Sequence, residues 1–219
     1  CLLKPRCTGD IFCTSATRDL CAVMLMDSAY IQEKDVEFVN RRRKKKGQHL
    51  FEPLYTKADT ARAMEQFIAL SYHRAHEIAP GVRLTLIDAG HMLGSAHVIL
   101  DITEQPGGQQ RRLVFSGDIG RPDIPIIRDP QPIVDGTDIL IMESTYGNRS
   151  HPPYPESEKE LERIINDTAG RGGCLLIPAF AVGRTQQLVY AMHKLHNDKK
   201  IPDLPIFVDS PLATRTTEI

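Results

Sequence analysis

Hydrophobic and polar positions change period several times along this 219-residue chain, and each change marks an element. Residues 9–13 (Gly-Asp-Ile-Phe-Cys) predict a short strand that ends at Thr14 and Ser15. Ser15 or Thr17 is placed to cap a helix with Leu20, Val23, Met24 and Ile31 turned inward. Thr56, with Asp59 three residues on, has the capping-box pattern and predicts a second helix carrying Ala61, Met64, Phe67, Ile68 and Tyr72 inward. From Val82 the period shortens. Runs 82–88, 96–102, 111–116 and 138–143 predict four strands separated by Gly- and Pro-rich turns, one of them Pro106-Gly107-Gly108. Pro122, Pro125, Pro130 and Pro132 belong to an extended surface loop. Four strands with short links imply an antiparallel or mixed sheet. Past Gly147 helices at 155–169 and 184–195 alternate with strands at 174–178 and 206–209, and Pro211 opens a further helix. That alternation predicts parallel βαβ units, so two domains are expected, 1–147 and 148–219.

Composition narrows the class. Hydrophobic residues make up 41% and charged residues 25%, as in ordinary globular proteins, which excludes collagen, coiled coil and intrinsic disorder. A formal net charge of -1 is far from that of a protein that coats nucleic acid, so any such contact has to be local. No apolar run is long enough for a membrane span. The five cysteines, at 1, 7, 13, 21 and 174, form no C-x-x-C pair and predict reduced, mostly buried thiols in a cytoplasmic protein. Arg41 to Lys46 is an unbroken run of six cations, read as a solvated loop or helix end, or as a patch that contacts phosphates.

Candidate chemistry lies at strand ends. His73/His76 and His193/His196 stand three apart on predicted helices, a spacing that suits a metal pair but equally an exposed helix end. His97, inside a predicted strand, reads as a packing or surface residue. His91 sits in Asp88-Ala89-Gly90-His91-Met92-Leu93-Gly94-Ser95, where flanking glycines let the backbone come close and the imidazole project. Asp118 follows the run Leu113-Val114-Phe115-Ser116-Gly117, and Glu143 closes an apolar strand in the same way. A carboxylate there has to meet a cation, a metal or hydrogen-bond donors. His91, Asp118 and Glu143 in succession suggest one shared rim, either a metal or catalytic site or a structural polar network. Gly183-Arg184 and Ser210-Pro211 each open a helix, a place that accepts phosphate or is simply capped.

The order of these motifs resembles the β-CASP branch of the metallo-β-lactamase fold hydrolases. The resemblance rests on the three segments around His91, Asp118 and Glu143, on Thr17-Arg18-Asp19-Leu20, on Ile177-Pro178-Ala179-Phe180-Ala181-Val182-Gly183-Arg184 and on Asp209-Ser210-Pro211-Leu212-Ala213. His151, after Tyr146-Gly147-Asn148-Arg149-Ser150, also matches, without a role that follows from the residues.

The resemblance implies an α/β chain: an incomplete αββα metallo-β-lactamase fold over 1–147, then the first half of an inserted Rossmann-like β-CASP domain over 148–219. It implies that His91 is a metal ligand, that Asp118 bridges two zinc ions and that Glu143 is the supporting acid of motif A. The implied activity is zinc-dependent phosphodiester hydrolysis of RNA, with two Zn2+ in the parent protein. The alternatives are an inactive scaffold subunit of an RNA-processing complex, a DNA-acting nuclease, and a thioester or lactam hydrolase of the same fold. His-x-His-x-Asp-His occurs nowhere in the chain, since no two of its eight histidines stand two apart. The expectation is a fragment with its main metal motif upstream of Cys1 and two histidine motifs beyond Ile219, unable to assemble the dinuclear site alone. Expected partners are single-stranded RNA as substrate and a second copy of the chain as a homodimer, without a membrane.

Overall fold

A computed structural model describes residues 9–104, 107–133 and 136–219. Cys1, Cys7 and Pro106 of the anticipated turn lie outside the described residues. The chain divides into two compact units, one extending to Ser71 and the other from Tyr72 to Glu218.

The first unit pairs β1 (Ile11–Thr14) in parallel with β2 (Phe67–Leu70), and two helices make the crossover between them. Helix α1 (Ser15–Lys45) has 31 residues and is therefore about 46 Å long. Thr14 caps it, one residue before the predicted cap, because its hydroxyl accepts the Thr17 N–H at 3.1 Å. The six-cation run is the helix end, with Lys46 as the C-cap. Helix α2 (Lys57–Met64) starts from the anticipated Thr56–Asp59 capping box. It is shorter than expected. Phe67 and Ile68 stand on β2 opposite Ile11 and Phe12, because pairing with a distant strand satisfies backbone groups that a longer helix would have held internally. The inward residues change accordingly: Ala29, Tyr55 and Ala63 cluster with Leu25, while Met24, Ile31, Ala61 and Ile68 are exposed.

The second unit holds a five-stranded sheet in the order β3-β4-β5-β6-β7. These are His76–Ala79, Val82–Asp88, Ala96–Thr103, Gln110–Phe115 and Ile139–Ile141. All pairs are antiparallel except β6 with β7, so the sheet is mixed. Ile87, Ile99 and Val114, one from each central strand, form its buried cluster with Ile133. β3 was not anticipated. His73 and His76 lie on no helix: His73 has φ 62, which breaks a right-handed helix, and donates its N–H to Leu86 O, while His76 pairs with Leu84.

Helices α3 (Tyr154–Gly170), α4 (Arg184–Asn197) and α5 (Pro211–Thr217) follow. Ile165, Leu195 and Ile201 pack together with Leu161 and Met192, and Ser210 caps α5. The strands expected at 174–178 and 206–209 are not formed. Neither segment pairs with another strand among the described residues, and without a ladder an apolar run has nothing to hold it as a sheet. Leu176, Phe180 and Phe207 are almost wholly exposed there. Cys174 is exposed as well, contrary to the buried expectation, whereas burial pushes the Cys13 and Cys21 thiols up from their ordinary range. Among the described residues no helix is long and apolar enough to cross a membrane.

One cross-strand pair anchors the sheet. Arg112 on β6 stands opposite Asp101 on β5 and donates to both carboxylate oxygens, at 2.8 and 3.2 Å. The bidentate contact holds the buried Asp101 carboxyl below the usual range. A lowered folded value adds stability above the unfolded Asp value of about 3.9 and loses it as pH falls through the folded one. Arg112→Met is expected to destabilise the chain by about 1–3 kcal/mol at neutral pH in urea melts, by removing the bidentate partner of the buried carboxylate and leaving it only the weaker help of Gln110 and Arg83. Asp101→Asn is expected to remove the part of the acid-induced loss of stability that sets in below about pH 4.

Candidate active-site rim

Register places the rim. β4 ends at Asp88 opposite Ala96, where β5 begins, and β6 ends at Phe115 beside Ile141, where β7 ends. The C-terminal ends of β4, β6 and β7 therefore share one edge, and the loops that follow carry His91, Asp118 and Glu143. The structure brings all three together.

The His91 loop is wound around Ser95 and Asp88. The Ser95 hydroxyl accepts the N–H of His91 at 3.0 Å and of Met92 at 3.3 Å, and Asp88 Oδ1 accepts the Gly90 N–H at 2.9 Å. Asp88 is held from the other side by Gln131, whose side-chain oxygen takes the Asp88 N–H at 3.0 Å. Gly120 N–H reaches Ala89 O at 2.8 Å, so the Asp118 loop lies directly on the His91 loop. Only glycine fits at that crossing: a Cβ on Gly120 would overlap the Gly90 carbonyl, and Gly90 itself has φ 64.

The loop carrying Asp118 is set by Ser116. Its N–H goes to Ile141 O at 2.9 Å, its carbonyl faces His97 Nδ1 at 2.6 Å, and its hydroxyl accepts the Glu143 N–H at 3.1 Å. His97 is buried, and its Nε2 lies 3.1 Å from Gln131 O, so the ring braces the rim from beneath. Glu143 then closes the circle, because its carboxylate accepts the Ile119 N–H at 2.6 Å.

The outcome is a projecting pair. His91 Nε2 and Asp118 Oδ2 face each other at 3.8 Å, with side chains 39% and 74% exposed. One imidazole nitrogen and one carboxylate oxygen belong to the donor set zinc uses, so the pair fits as two of its ligands. No group of three or more His, Cys, Asp or Glu among the described residues is arranged to hold a metal ion. Glu143 is only half-buried, because β7 is an exposed edge strand. Its partner is a hydrogen-bond donor, one of the options open in the sequence. The Ile119 N–H first, and then Thr145, hold its carboxyl below the ordinary Glu range, with His91 adding to the effect.

Other candidates fall elsewhere. His193 and His196 are exposed on α4, beside Asn197 and Asp203 respectively. The His151 ring meets Tyr146 edge-on at 4.4 Å, and Arg149 covers the same tyrosine at 4.7 Å. Arg184 is exposed at the start of α4 after Gly183, whose φ is 80. Sequence reasoning missed Ser95, Ser116, Gln131 and Arg121, the last donating to Pro152 O at 2.8 Å. Ser95 and Ser116 stand inside the motifs that drew attention to His91 and Asp118. Gln131, 43 residues from Asp88, left no local signal.

A lowered folded value for Glu143 means that its grip on Ile119 is complete above the unfolded Glu value of about 4.3 and is lost as pH falls through the folded one. The Ile119 amide proton shift is expected to titrate below about pH 4.3 in NMR spectra, and Glu143→Gln to abolish that transition. An Ile119 shift that titrates unchanged in the Glu143→Gln variant contradicts the assignment.

No protein-family profile matches the chain. It is similar to transcription termination factor FttA of Methanothermobacter thermautotrophicus, 32% identical over 204 residues, which is 92% of this chain and 29% of the relative. FttA of Pyrococcus abyssi is 34% identical over 210 residues, covering 95% and 30%. Ribonuclease TTHA0252 of Thermus thermophilus is 30% identical over 211 residues, covering 96% and 42%. The chain thus spans 29% to 42% of the length of these curated relatives.

Proposed function

We propose that the chain is part of a zinc-dependent ribonuclease of the β-CASP branch of the metallo-β-lactamase fold hydrolases, acting on single-stranded RNA in RNA processing or decay. The observation that carries this reading is the convergence of His91 and Asp118 at 3.8 Å on a rim that Glu143 braces. The similarity to one relative named a ribonuclease and to others named transcription termination factors supports an RNA-acting protein. In this reading His91 would offer an imidazole nitrogen and Asp118 a carboxylate to zinc, and Glu143 holds the Asp118 loop through the Ile119 N–H. Bound zinc would lower the pKa of a water and polarise the phosphodiester. The chain's own part is to fix the spacing of those ligands, which it does through Ser116, Ser95 and the glycine crossing at Gly120.

Residues 1–147 would be part of the metallo-β-lactamase fold domain, and 148–219 the start of the inserted domain. The exposed apolar runs at 174–180 and 204–208, which pair with no strand among the described residues, fit strands that would meet their partners in a longer protein.

The test compares the full-length protein with this chain, using a labelled single-stranded RNA and elemental analysis of bound zinc. Full-length protein is expected to cleave RNA and bind two zinc ions. Asp118→Asn and His91→Ala are each expected to lower cleavage at least ~100-fold, and the chain alone to be inactive. Full-length protein that binds zinc but leaves RNA intact, while cutting single-stranded DNA, favours the DNA-acting alternative. Absence of both zinc and cleavage favours the scaffold.

A further inference from the structure

The end of α1 holds a cluster for which the proposed hydrolase has no use. Arg41, Arg42, Arg43, Lys44, Lys45 and Lys46 close the helix, and no acidic residue lies between Phe38 and Phe51. Only Arg41 finds a carboxylate, Glu37 at 2.8 Å; none pairs with the other five among the described residues. One or two cations would satisfy the helix dipole, whose effect fades within the last turn. Six crowd like charges at i, i+3 and i, i+4 spacing, a net cost in the free chain. A chain with net charge -1 has no general need of such a block.

Two aromatic rings stand among these charges. Phe38 is 57% and Phe51 51% exposed. Arg42 lies over Phe38 at 5.0 Å, and Arg43 over Phe51 at 4.1 Å. Phe51 is not on a loose loop. Asn40 grips its backbone twice, donating to its carbonyl at 2.8 Å and accepting its N–H at 2.9 Å, and Arg43 Nε donates to His49 O at 2.6 Å. The chain after Gly47 is thereby folded back against the helix end, and each ring keeps an arginine beside an open edge.

We infer that this end of α1, with Phe38, Arg42, Arg43, Lys44, Lys45 and Phe51, is a docking surface for single-stranded polynucleotide. Cations crowded at one helix end neutralise several phosphates and gain from counterion release. Arginine-backed aromatic rings offer stacking platforms to unpaired bases, which a duplex or a lipid headgroup does not supply. The surface belongs to the first unit, whereas His91, Asp118 and Glu143 belong to the second. It rests on charge and stacking alone, so it stands whether or not the hydrolase reading does.

Binding of a labelled single-stranded RNA of about 12 nucleotides to the 219-residue chain, followed by fluorescence anisotropy across a salt series, tests it. A variant with Arg42, Arg43, Lys44 and Lys45 all changed to Gln keeps the helix propensity and removes four charges. It is expected to bind at least ~10-fold more weakly, with a salt slope smaller by about 2 to 3, since each engaged cation contributes about 0.7. Phe38→Ala keeps every charge and the Asn40 clamp, and is expected to weaken binding at least ~5-fold with the slope unchanged. Circular dichroism confirms that α1 persists in both. Unchanged affinity in the four-charge variant overturns the inference. So does equal binding to duplex or to phosphatidylserine vesicles together with indifference to Phe38→Ala, which marks a generic anion-binding surface. Cleavage is not the readout, so failure here leaves the hydrolase reading untouched.

Discussion

Ser116 is the residue on which the rim depends. It stands one position past β6, where a sheet would ordinarily let its last backbone groups go to water. Its amide instead extends the ladder to Ile141, its carbonyl takes the buried His97 ring and its hydroxyl anchors Glu143. Two other chain segments, β5 through His97 and the end of β7 through Ile141 and Glu143, meet on a single small side chain and its backbone. Ser116 is fully buried, and its bond to the buried His97 ring lies in a low-dielectric surrounding, where a missing partner is costly and a satisfied network is rigid. Asp118, two residues on, inherits that rigidity while remaining exposed.

The same logic explains how a polar pair projects into solvent without being loose. His91 and Asp118 have little packing of their own, yet the backbone beneath each is bonded to the other loop through Gly120 and Ala89. Functional side chains on short loops over a stiff sheet are held by the peptide groups under them. The pair of buried Asp101 and half-buried Arg112 does a related task within the sheet, tying β5 to β6 further along the strands.

The two halves of the second unit differ in how far they satisfy themselves. The central strands β4, β5 and β6 pair on both sides and bury Ile87, Ile99 and Val114. Around α3, α4 and α5 the helices find each other, but the apolar runs between them do not find strands, so Leu176, Phe180 and Phe207 face water. Apolar exposure of that extent is the mark of a surface that something covers.

Much of this was legible residue by residue. Strand β4 has the anticipated bounds, the Thr56–Asp59 capping box is where its spacing put it, and His91, Asp118 and Glu143 do share a rim. Each of those features is local: a cap needs partners three residues away, alternation needs only the pleat, and a glycine shows its use in its own φ. Pairing with a distant partner is not local. Phe67 left its predicted helix because Ile11 lay beside it, His76 joined β3 because Leu84 did, and residues 174–178 formed no strand because no ladder met them. Gln131 likewise reached Asp88 and His97 across a loop with no periodicity to announce it. Hydrogen-bond partners and covering surface far along the chain exist only once it has folded, so register, edges and the bracing of the rim were settled by the tertiary structure.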